Sequence, residues 1–143
     1  MPQIKTVALQ HGQEVDIITA LVVQVNRHPV FFMVANPPAA FPYDSRRRGA
    51  EEQMRPWFRD LRQDVDIPIL HGVSAFGTRL SFYEYDSATH VLQPEQVLQS
   101  HSSIFDDVAP ITRWDCDVLQ QEGANRLRKV VNQVKEMCAQ VTV

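Results

Sequence analysis

Apolar positions along the chain fall into strand-like runs first and helical stripes later. Residues 14–25 are rich in β-branched side chains, and residues 30–35 are six consecutive apolar positions. The second run is bounded by Asn26, Arg27, His28 and Pro29 before it and by Pro37 and Pro38 after it. An unbroken run of this length predicts a central strand buried on both faces, paired with the first run across a short turn. Residues 68–76 and 79–85 predict another hairpin around Gly77 and Thr78.

Pro37, Pro38 and Pro42 then stop regular structure, and Asp44 and Ser45 offer a cap for a helix over 46–54. Pro56 predicts a kink or restart before Trp57, Phe58 and Leu61 pack on the sheet. Residues 87–113 show little periodicity and predict a long connection with one helical turn after Pro94. Leu127, Val130, Val131, Val134 and Cys138 recur at helical spacing and predict a terminal helix over about 119–140. The expected fold is α/β, a single domain over 1–143 with a central mixed sheet of four or five strands flanked by helices.

Composition adds limits. The chain has 143 residues, 44% hydrophobic and 22% charged, and no apolar run approaches the roughly 18 residues of a membrane span. No membrane association is expected, and the start of the chain lacks a secretory pattern, which predicts a cytoplasmic protein. Cys116 and Cys138 fit neither a disulfide framework nor a zinc spacing, and they read as small hydrophobes. A net charge of −3 argues against a generic polyanion binder, yet six of the 14 basic residues fall between Arg46 and Arg62. A local basic face on an acidic protein is therefore expected.

The stretch Val30-Phe-Phe-Met-Val-Ala-Asn36-Pro-Pro38 resembles the catalytic strand of the fungal branch of PD-(D/E)XK nuclease-like proteins. That strand typically ends Glu-x-Lys-Pro-Pro, and here Val34 and Asn36 stand at the Glu and Lys positions. Tyr43-Asp-Ser-Arg-Arg-Arg-Gly-Ala-Glu-Glu-Gln53 resembles the helix that follows, and residues 69–83 resemble the closing hairpin. The resemblance covers about residues 14–140 and implies a restriction-endonuclease-like fold with a degenerate catalytic motif. It carries over one acidic position, Asp16, as a candidate metal ligand. A divalent cation needs several convergent oxygen ligands, and Asp16 facing Val34 and Asn36 does not supply them, so no metal and no other cofactor is expected.

Three function classes remain open: a metal-dependent nuclease, a metal-independent enzyme acting on nucleic acid, and a catalytically dead domain retained as a binding module. In size the chain also resembles the edodin-like ribosome-inactivating toxins of basidiomycete mushrooms. That similarity implies an rRNA N-glycosylase, an inhibitor of protein synthesis, with rRNA or the ribosome as partner. Base removal passes through a cationic sugar, so it wants a carboxylate, a donor to the leaving base and an aromatic platform. Asp16 or Glu52, Gln53 or Arg55, and Trp57 or Tyr83 are the candidates for those roles. Gln53 and Trp57 share a helix face at i, i+4. Arg46, Arg47 and Arg48 oppose the positive end of a helix dipole, which suggests phosphate contacts, although pairing with Glu51, Glu52 and Asp60 accounts for them equally. Oligomeric state is not legible in the chain.

Overall fold

The computed structural model describes residues 2–11, 14–95 and 109–141, with side chains from Thr19 onward. Strands β1 (Pro2–His11), β2 (Glu14–Val25) and β3 (His28–Asn36) form an antiparallel meander. Helix α1 (Asp44–Leu61) carries the chain over to β4 (Ile69–Phe76), which lies parallel to β3. The antiparallel strands β5 (Arg79–Asp86) and β6 (Val91–Gln93) follow. A 3-10 turn at Ile111–Trp114 then leads to β7 (Cys116–Asp117), which pairs with β5, and to helix α2 (Gln121–Val141).

The fold is thus α/β, with one mixed sheet in the order β1-β2-β3-β4-β5-β6 flanked by two helices among the described residues. Among the described residues it has seven strands, where four or five were expected. The additions are β1 along the free edge of β2 and the short β6 and β7. Asn26 and Arg27 both adopt positive φ, at 53° and 70°, as a two-residue hairpin loop between β2 and β3 requires. Gly77, at φ 59°, does the same for β4 and β5.

One sheet face carries Val22, Phe32, Val34, Leu70, Tyr83 and Tyr85, packed under Met54 and Phe58 of α1. The other carries Val73, Ala75 and Leu80, with Leu127 of α2 against them. β3 is central, but it alternates buried with half-buried residues instead of being sealed on both faces. Phe31, Met33 and Ala35 face α2, whose buried residues are only Gly123, Val130 and Val134. Gly123 lets the first turn of α2 sit on β7, since a Cβ there would fall 1.9 Å from the Asp117 carbonyl oxygen.

α1 also differs from expectation. It runs unbroken through Pro56, and no side chain caps its start, where Tyr43 is the N-cap residue. The expected helical turn after Pro94 falls largely on residues outside those described. Among the described residues no helix is long and apolar enough to cross a membrane.

Candidate functional site

α1 presents Arg47, Ala50, Glu51, Met54 and Phe58 to the interior. These five positions, at i, i+3, i+4, i+7 and i+11, form one buried helical stripe, so two charged side chains are drawn inward with their apolar neighbours. Glu51 is 3% exposed. Buried carboxylates persist only where partners surround them. Three partners do so here.

The Tyr83 hydroxyl of β5 donates to Glu51 Oε2. Arg55, one turn further along α1, donates from Nη2 to Glu51 Oε1 at 2.7 Å and to the Pro94 carbonyl at 3.0 Å. Arg113, from the 3-10 turn, brings Nη1 within 3.1 Å of the same Oε1 and donates from Nη2 to the Glu95 carbonyl at 2.7 Å. Burial, and then the neighbouring Glu51 charge, push the Tyr83 hydroxyl well above its ordinary value of 10.0. Tyr83 therefore stays a neutral donor. Two buried nitrogens, Arg55 Nε and Arg113 Nη1, lack an aligned hydrogen-bond acceptor.

Arg113 also walls a groove of about 350 Å³ whose other lining includes Ser81, Gln93, Pro94, Thr112, Asp115 and Arg126. Glu51 is thus one side chain away from an open surface. Two guanidiniums on one carboxylate leave the cluster net positive, so it offers donors to a leaving or anionic group, and Glu51 can face a cation only where Arg113 turns away from it.

Among the residues proposed from sequence, Arg55 and Tyr83 enter this cluster. Tyr83 is fully buried, so it positions Glu51 and offers no stacking platform. Glu52 points outward and is exposed; its neighbour Glu51 is the inward carboxylate. Gln53 is half-buried outside the cluster's contacts. Trp57 stacks on Phe32 with centroids 6.1 Å apart, which makes it part of the core.

The basic face is also redistributed. Arg47 is buried and donates to the carbonyls of Ala109, at 3.0 Å, and Phe41, at 2.9 Å. It ties α1 to the segment before the 3-10 turn and does not reach solvent phosphates. Arg48 pairs with Asp44 at 3.2 Å on the surface, and Arg46 is half-buried. Arg47→Ala is accordingly expected to cost at least about 2 kcal/mol, because one buried and one partly buried carbonyl lose a charged donor. Arg48→Ala should change stability by less than about 1 kcal/mol. Urea unfolding of the two variants measures the contrast, and equal effects would contradict the assignment.

At the strand positions of the Glu and Lys in the nuclease resemblance, the side chains are engaged within the fold. Val34 is 1% exposed in the core, and Asn36 uses its amide to donate to the Ala75 carbonyl at 3.2 Å. The Asp16 side chain lies outside the described residues. Its backbone pairs with Leu9, four positions along β2 from the Ala20 partner of Val34. That is roughly 13 Å at the usual rise of a strand. Among the described residues no three His, Cys, Asp or Glu side chains converge as metal ligands. His71 is buried on the opposite sheet face, where desolvation holds it below 6.5.

Compared with known proteins, the chain matches no family model, no curated protein and no solved structure.

Proposed function

We propose that the protein is a metal-independent N-glycosylase acting on ribosomal RNA, with Glu51 as its central carboxylate. The observation that carries this reading is a buried carboxylate held by Tyr83, Arg55 and Arg113 beside an open groove. In base removal the C1′–N bond breaks and its electron pair leaves with the base. Glu51 stabilises the cationic sugar and accepts a proton from the water that adds to C1′. Arg55 and Arg113 supply hydrogen bonds to the departing base, which takes up a proton from solvent at the released nitrogen, while Glu51 returns the water's proton to solvent. Arg113 must turn from Glu51 toward the groove for the sugar to approach.

A second reading has its own support. Both guanidiniums already donate to loop carbonyls, and the carboxylate is nearly sealed. A fully internal network of this kind suits a binding module on a nuclease-like scaffold that has lost its catalytic strand residues. In that case the cluster serves only to fasten the segment after β6 onto α1.

Incubation with intact ribosomes separates the readings. Depurination predicts an RNA fragment released only after aniline, insensitive to EDTA. Glu51→Gln should slow its appearance by about two to three orders of magnitude, the range for removing one transition-state electrostatic partner. Glu52→Gln should leave it unchanged. Ribosome binding without any cleavage would favour the binding module, and cleavage that needs no aniline and stops with EDTA would indicate a metal nuclease.

A further inference from the structure

The outer edge of β5 is covered at both ends and open in the middle. β6 pairs with Glu84, Tyr85 and Asp86, while β7 pairs with Arg79 and Leu80. Among the described residues Ser81, Phe82 and Tyr83 have no strand partner on that side. The direction of the free groups follows from the bonds flanking the gap. The Asp86 carbonyl accepts from the His90 N–H at 2.8 Å, and the Thr78 carbonyl accepts from the Val118 N–H at 3.1 Å. Both even-numbered carbonyls turn to this edge, and the β4–β5 register is continuous between them. Backbone groups alternate sides along an antiparallel strand, so Phe82 directs its N–H and C=O together into the gap.

The groove beside Arg113 lies over this gap, with Ser81 and Phe82 in its lining. Arg126 closes it from α2. Its guanidinium stands 4.5 Å over the Phe82 ring and is steadied by Asp115 at 3.2 Å. A donor and an acceptor side by side suit either another backbone or the edge of a nucleobase. A through-running peptide strand does not fit, because Gln93 opposite Glu84 and Cys116 opposite Leu80 block the path at each end. A compact planar group does fit. The volume of about 350 Å³ lies at the low end for small-molecule sites; Arg113 and Arg126 line it together with the Glu84 and Asp115 carboxylates, and a phosphate would take the place of Asp115 on Arg126.

We infer that this break in the β5 edge is a nucleotide subsite, with the base edge on the Phe82 backbone and the phosphate between Arg113 and Arg126. The inference rests on the N-glycosylase reading for its biological substrate but not for its geometry. The subsite would hold a nucleotide of the RNA next to Glu51, joined to it through Arg113. Every base edge carries a neighbouring donor and acceptor, so the backbone pair alone does not select among them.

The full chain, labelled with ¹⁵N, is titrated separately with AMP, GMP, CMP, UMP and inorganic phosphate. At least one nucleotide should shift the Phe82 amide resonance, and Arg126→Gln should weaken its binding about tenfold, the equivalent of one charged hydrogen bond. Arg128→Gln, also exposed on α2, should leave binding unchanged. The Arg126 variant removes an exposed pair with Asp115 and a contact over the Phe82 ring, each small at an exposed site, so it should fold normally. Absence of nucleotide binding, or phosphate binding as tightly as every nucleotide with the Phe82 amide unmoved, would overturn the subsite. Nucleotide binding that survives in Glu51→Gln without any depurination by the wild type would keep the subsite and sink the N-glycosylase reading. Depurination unaffected by Arg126→Gln, with no nucleotide bound, would do the reverse.

Discussion

Truncation of Phe32 to alanine is expected to destabilise the protein by about 4 to 5 kcal/mol, the upper part of the range for a buried phenylalanine. Phe32 is fully buried, meets Phe58 edge to face at 4.7 Å and stacks with Trp57. Its partner across the parallel ladder is Gly72, where a Cβ would fall 2.6 Å from the ring. With no side chain at that position, the floor of the site has nothing to relax into the space left by the ring. Chemical unfolding in urea reads the change directly. A loss below about 2 kcal/mol would mean that Phe32 is not the centre of the α1 face.

Glu51→Ala is expected to cost about 3 to 5 kcal/mol, because removal of one member of a buried ionic cluster leaves the others uncompensated. Arg113 would remain with its side chain 10% exposed and no counter-charge at Nη1, and the Tyr83 hydroxyl would lose its acceptor. Arg55 is more exposed and can turn to water, which moderates the loss. Glu52→Ala, on the solvated side of the same helix, should change stability by less than about 0.5 kcal/mol. Thermal or urea unfolding of the pair tests the inward placement of Glu51, and similar effects for both would refute it.

The hairpins were legible because their signals are local: apolar runs of strand length separated by Asn26-Arg27 and Gly77-Thr78. β1 was not, since its recognition depends on β2 extending well past the end of β3. β3 pairs only from Thr19 onward, whereas β1 pairs with β2 from Glu14. Pro56 was expected to interrupt α1, but the bond it removes is the one to the Glu52 carbonyl. Glu52 is exposed, so water can satisfy that carbonyl and the helix continues.

In the sequence Glu51 reads as a surface partner for the arginines. Its spacing from Met54 and Phe58, at i+3 and i+7, was the available sign that it points inward. Charge alone suggested exposure, and only the fold supplies the compensation. Arg113 could not be linked to Glu51 by any local pattern, because the two meet through the return of the chain after β6. Arg47 shows the same limit in reverse: three adjacent arginines look alike in sequence, yet helix rotation turns one of them into the core.

The parallel contact between β3 and β4 divides the sheet into two self-contained meanders, β1-β2-β3 and β4-β5-β6, each built from neighbours in sequence. Each can zip up through short-range turns, whereas joining them requires closing the long segment that contains α1. Loop-closure entropy makes that single seam the slow event in assembly, and it is where Phe32 meets Gly72. A chain severed between α1 and β4 would therefore present two edges that recognise each other, and the fragments should reassociate through one strand pairing instead of many.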